Sequence, residues 1–134
     1  MLFRSYQALY ANTTGSGSVA VGYQAFYSTT DNQYSVAVGY RAGYLNTTGY
    51  GITAVGRESM FSNTTGAENA AFGRETLYSN TTGISNVAVG NYALRANTTA
   101  SNNTAVGYQS LYANTTGGNN TAVGNLAQIG RAHV

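Results

Sequence analysis

Asn103–Gly117 reads NTAVGYQSLYANTTG, and most of the chain is this sentence with small changes. The glycine of its AVG core returns at Gly22, Gly39, Gly56, Gly73, Gly90, Gly107 and Gly124, each 17 residues after the last, with no insertion or deletion. A period held over a whole chain is the mark of a solenoid, in which each repeat is one coil stacked on its neighbours. The expected fold is all-β, a parallel β-solenoid of about eight 17-residue coils spanning residues 1–128 as one array. No apolar stripe of helical period fits a unit this rich in glycine, so no helix is expected.

Aligning the copies gives each coil a profile. Before the glycine comes Val or Thr, with Ala70 in one copy, then always Ala, then Val21, Val38, Val55, Phe72, Val89, Val106 or Val123. Such an alternation of β-branched residues reads as a short strand whose side chains point alternately to opposite faces. The expected inward column is the residue before the glycine, Val21 through Val123, with the neighbouring alanine turned the other way. The seven glycines mark a turn that needs either a positive φ or a close approach of backbones.

After the glycine a second short extended segment is expected. It carries a small residue, then a bulky apolar one (Phe26, Met60, Leu77, Leu94, Leu111), with Gly43 as the exception, and this ladder should face the valines across the coil. An aromatic column follows: Tyr10, Tyr27, Tyr44, Phe61, Tyr78 and Tyr112, interrupted by Arg95. Another, containing Tyr6, Tyr23, Tyr40 and Tyr108, follows the glycine directly. The coil closes with NTTG in five copies, with Thr29-Thr30-Asp31-Asn32 and Asn97-Thr98-Thr99-Ala100 as variants. Asn and Gly are turn formers, and identical Asn and Thr side chains stacked at about 4.8 Å can bond from coil to coil.

Composition narrows the function classes. Charged residues are 7% of the chain, against roughly 25% in ordinary soluble domains, so neutral hydrogen-bonding groups carry the surface. A net charge of +2, spread thinly, does not make the dense basic face that nucleic acid requires. Without cysteine, and with His133 as the one histidine, no metal centre or cofactor is expected. Calcium-binding nonapeptide repeats need an Asp in each turn, and Asp31 is the one aspartate. There is no apolar run long enough for a membrane helix.

One Val and one Leu-like side chain per coil make a thin core against the entropy of ordering 17 residues. A roll of this kind is expected to associate, most simply as a homotrimer, covering part of its Tyr and Ala surface with neighbouring chains. The motifs SVAVG at Ser18–Gly22 and Ser35–Gly39, and NTAVG at Asn103–Gly107 and Asn120–Gly124, resemble the SVAIG-type repeats of YadA-like trimeric autotransporter adhesin heads. The fuller unit is similar to repeats in fibre and adhesin-like proteins of phages and environmental bacteria. The resemblance implies a left-handed β-roll, a trimer, and core roles for Val19 with Val21 and Val36 with Val38. The 17-residue period departs from the shorter, more variable spacing of those heads.

Two candidate chemistries stand out. Glu58 and Glu75 share a phase in successive coils, which would set them about 5 Å apart, the spacing of a retaining glycosidase pair. The plainer reading is a solvated charge ladder with Arg41, Arg57 and Arg74. Tyr10, Tyr23, Tyr27, Tyr40, Tyr44, Tyr78, Tyr108 and Tyr112 are candidate ligand or inter-chain contacts, since aromatic rings flanked by Asn, Gln and Thr suit sugars. Asn-x-Ser/Thr sequons occur at Asn12, Asn46, Asn63, Asn80, Asn97, Asn102, Asn114 and Asn119.

The expected role is non-enzymatic: a structural or adhesive segment of an extracellular fibre, on a bacterial cell surface or a phage virion, touching glycans or host cells. Met1–Arg4 lacks the apolar run of a signal peptide, and Phe3-Arg4-Ser5 is a degraded AVG, as expected of a segment from a longer array. Ile129–Val134 matches no earlier copy, and reads as an irregular tail of the kind a translated sequencing adapter would leave.

Overall fold

A computed structural model describes residues 5–128; the readings placed on Met1–Arg4 and Ile129–Val134 lie outside the described residues. Seven three-residue strands follow one another: β1 (Val19–Val21), β2 (Val36–Val38), β3 (Thr53–Val55), β4 (Ala70–Phe72), β5 (Val87–Val89), β6 (Thr104–Val106) and β7 (Thr121–Val123). They form one parallel sheet in chain order, each residue paired with the one 17 positions on, as Ala37 with Ala54. The molecule is an all-β parallel solenoid of about six turns, and no helix occurs among the described residues. Each coil is named below for the strand that opens it.

The strands face opposite to the sequence expectation. Ala37, Ala54, Ala71, Ala88 and Ala105 are fully buried, whereas Val21, Phe72, Val89 and Val123 are exposed, Val123 by 69%. Val38, Val55 and Val106 are partly covered on the same outer side. The outward column, Val21 to Val123, is therefore not the core. Alternation fixes that one set is inside but not which, and here the interior is filled from elsewhere. Phe26, Met60, Leu77, Leu94 and Leu111 are fully buried, and their bulk leaves room beneath the strand for nothing larger than a methyl group.

The segment after the glycine is a run of turns, not a second strand. Two residues per coil take positive φ there, for example Glu58 at 55° and Met60 at 52°. A non-glycine residue in this region costs about 1–2 kcal/mol, and the coil recovers it through hydrogen bonds in both directions. Glu58 N donates to Tyr40 O of the preceding coil at 2.8 Å, and Met60 N to Thr76 O of the following one at 2.9 Å. Because of these inversions, neighbouring residues such as Ala25 and Phe26 are both buried, which strict alternation would forbid.

The turn glycine meets both conditions expected of it. Gly22 has φ 128°, and a Cβ there would sit 2.5 Å from Gly39 O of the next coil. Gly43 has another cause. A Cβ there would lie 2.5 Å from the Phe26 ring, so the one phenylalanine in the bulky column extends over the next coil, and glycine leaves it the space.

Candidate functional site

Around the coil, the solenoid offers an apolar strand face, stacked aromatic columns, a charged column and the NTTG turns. The strand face carries outward Val, Thr, Ala and Phe side chains from all seven strands. Seven in-register strands at about 4.8 Å make this band roughly 29 Å long. It holds no charged residue.

Tyr10, Tyr27, Tyr44, Phe61 and Tyr78 form a continuous stack, with centroids 5.1–5.2 Å apart and planes within 13°. Arg95 extends it, its guanidinium 5.0 Å from the Tyr78 ring and 6.0 Å from that of Tyr112. Tyr6, Tyr23 and Tyr40 make a shorter stack at 5.8 and 5.4 Å, while Tyr108 meets Tyr92 edge-on at 5.9 Å. Within a stack the faces are spent on neighbouring rings. What remains toward solvent is edges and hydroxyls, and a sugar binds an aromatic ring through its face.

Glu58 and Glu75 do not stand as a free carboxylate pair. Glu58 is 3.3 Å from Arg57. Glu75, buried, receives Arg74 Nε at Oε1, 3.1 Å away, and Arg95 Nε at Oε2, 2.9 Å away. Burial alone would raise the Glu75 pKa, but the hydrogen bonds and charges of Arg95 and Arg74 together outweigh it and hold the carboxyl below its usual range. The same bond keeps Arg95 more firmly protonated. A general acid needs the opposite shift. Arg41 lies between the Tyr40 and Tyr44 rings, 5.2 Å from each, and donates to Gln24 Oε1 at 3.0 Å.

The turns contain two asparagine ladders. Asn63, Asn80 and Asn97 are fully buried, and each Nδ2 donates to the Oδ1 of the asparagine one coil before, at 2.7–2.9 Å. It also donates to the carbonyl that closes its own turn, as Asn80 does to Gly83 O. Threonine bonds instead to backbone: Thr64 Oγ1 donates to Thr81 O at 3.0 Å. The second ladder joins Asn69, Asn86, Asn103 and Asn120 beside the strand. It escaped the sequence reading, though an Asn just before the strand at a 17-residue interval is a visible signal. Burial closes the sequons at Asn46, Asn63, Asn80 and Asn97 to any enzyme acting on the folded chain; Asn102 and Asn119 are exposed.

In the β1 coil the turn is rewritten. Thr29 replaces the ladder asparagine and Asn32 the turn glycine. Thr29 has no amide to donate backwards, so Asn12 Oδ1 is left without a partner, as are both amide atoms of buried Asn32. Beside this turn an open cleft of about 260 Å³ is lined by Asp31, Gln33, Thr48 and Tyr50.

Among the described residues no three His, Cys, Asp or Glu side chains gather as a metal would require, and no helix is long and apolar enough to cross a membrane. Fold and surface together define the class, a parallel β-solenoid repeat protein. Compared with known proteins, the chain matches no family model, no curated protein and no solved structure.

Proposed function

We propose that this chain is a structural and adhesive segment of an extracellular fibre, on a bacterial cell surface or a phage virion. In this reading three copies lie parallel, wound as left-handed β-rolls, with their valine faces turned to a common axis. The carrying observation is that strand face: Val19, Val21, Val87, Val89 and Phe72 stand exposed in a band with no charge to oppose its burial. An apolar surface of this extent marks an interaction site, and a cyclic arrangement of parallel chains covers it along its whole length.

The fibre holds distance and presents weak contacts repeated along its length, which multivalency multiplies without a deep pocket. Glu75, tied to two arginines, supports a binding role over hydrolysis. Light scattering on the isolated chain tests the assembly. The expected mass is three times the 14.0 kDa of one chain, and a monomer at micromolar concentration would overturn the proposal.

A further inference from the structure

The stacked tyrosines hide their faces, but exposed Tyr34 and Tyr50 do not; of these two, Tyr50 lines a cleft. Tyr50 stacks on no other ring among the described residues, and it lines the open cleft with Asp31, Gln33 and Thr48. The four residues are two columns of adjacent coils, Asp31 above Thr48 and Gln33 above Tyr50, since each pair is 17 residues apart. Elsewhere the same two columns hold only Thr14 with Ser16, Thr65 with Ala67, Thr82 with Ile84, and similar small or apolar pairs. A carboxylate, a carboxamide, a hydroxyl and an aromatic ring therefore converge at one place, where the other coils carry small or apolar side chains.

We propose that this cleft is a binding subsite for one uncharged pyranose residue of a glycan. Such a ring has an apolar C–H face, which packs on the Tyr50 ring, and a rim of hydroxyls, which donate to the Asp31 carboxylate and exchange hydrogen bonds with the Gln33 amide and the Thr48 hydroxyl. At about 260 Å³ the cleft falls below the roughly 300 Å³ at which drug-sized pockets begin, and one sugar ring fills it.

Among the described residues Asp31 takes part in no ion pair, so its carboxylate is available. The backbone beneath them is fixed. Asp31 N donates to Thr47 O at 3.3 Å, Gly51 N to Gln33 O at 2.9 Å, Thr48 N to Thr64 O at 3.2 Å and Glu68 N to Tyr50 O at 3.0 Å. A platform held from both neighbouring coils needs little ordering on binding. No cation lines the cleft, and Asp31 repels a uronic or sialic carboxylate.

The subsite rests on the adhesive reading, and the test separates the two. Methyl glycosides of glucose, galactose, mannose and N-acetylglucosamine, with glucuronate as the acidic control, are titrated into the full chain by ligand-observed NMR. The assembled mass and adhesion to a mixed-glycan surface are measured on the same samples. At least one neutral glycoside is expected to bind. Its affinity should fall about tenfold in Tyr50→Ala and in Asp31→Ala, and stay within about threefold in Tyr50→Phe, which keeps the ring face. Binding by none of the four, binding unchanged in Tyr50→Ala, or glucuronate binding as tightly would overturn the subsite. Adhesion that survives both alanine variants overturns the subsite and leaves the fibre standing. A monomeric parent chain overturns the fibre whether or not the cleft binds.

Discussion

The β3, β4 and β5 coils share a bulky apolar residue and a turn asparagine at the same inward positions, while the β1 and β2 coils each break that pattern at one of them. In the regular coils, Met60, Leu77 and Leu94 fill the bulky column, and Asn63, Asn80 and Asn97 link into an unbroken ladder. In the irregular pair the column reads Phe26 then Gly43, and the ladder position reads Thr29 then Asn46. The difference teaches that exceptions come in compensating pairs. Phe26 takes the volume that Gly43 gives up, and Asn32 brings a side chain to the turn in the coil whose ladder asparagine has shrunk to Thr29. The second exchange is incomplete, since it leaves buried amide atoms without partners. Asp31 and Gln33 of this turn line the cleft described above with Thr48 and Tyr50 of the next coil, so the incomplete ladder and the cleft lie side by side.

The largest expected effect breaks the regular side of this comparison. Asn80→Ala removes the donor to Asn63 Oδ1 and Gly83 O and the acceptor of Asn97 Nδ2. Stranding buried polar groups costs about 1–3 kcal/mol each, so a loss of about 3 kcal/mol or more is expected in chemical denaturation. Thr29→Ala, at the same position of the β1 coil, removes the donor to Asn46 O at 3.1 Å and the acceptor of a long 3.5 Å bond from Asn46 Nδ2, and should cost about 1–2 kcal/mol. Equal losses would mean that the ladder carries no special weight.

Volume exchange is sharpened by a double-mutant cycle. Gly43→Leu should cost about 1–3 kcal/mol by overpacking against the Phe26 ring. The backbone is not the obstacle, because Leu77 and Leu94 hold φ near 50° in the same column. Phe26→Leu with Gly43→Leu should recover most of the loss, restoring the leucine pairing of the regular coils. A double variant no better than Gly43→Leu alone would refute the pairing.

A smaller effect distinguishes the charged column. Glu75 has its pKa lowered from 4.5 in the fold, so its contribution to stability is complete above that value and is lost as pH falls through the lower folded-state pKa. Melting temperature followed from pH 7 to pH 2 (roughly the range over which carboxylates titrate) should therefore drop more steeply for the parent chain than for Glu75→Gln. Parallel curves would show that the Arg74 and Arg95 contacts do not stabilise the coil.

Much of this architecture is legible in the sequence, because a strict period transfers each local inference to every copy. Gly22 and its equivalents, the buried Leu77, Leu94 and Leu111, and the asparagine turn ladder all follow from residue type at fixed phase. The strand's facing does not. Val21 outranks Ala20 in hydrophobicity, yet the interior beneath the strand is already occupied by the bulky column, so size decides against valine. The turns after each glycine were also hidden, since residues such as Glu58 and Met60 give no sign of a positive φ that neighbouring coils impose through hydrogen bonds. Of the cleft, the sequence shows the ingredients in Asp31 and Tyr50, and only the stacking of coils brings them together.

The central claim is that alanine lies inside the coil and valine on the outer face that we propose is shared between chains, and the absence of native cysteine permits a direct measurement. Val55→Cys and Ala54→Cys chains are treated with a short bis-maleimide under native conditions and resolved by denaturing electrophoresis. The account predicts that Val55→Cys yields a covalent species of twice the chain mass, while Ala54→Cys stays unreacted inside the coil. Cross-linking through Ala54→Cys with Val55→Cys protected, or no cross-link from Val55→Cys in protein of trimeric mass, would contradict it.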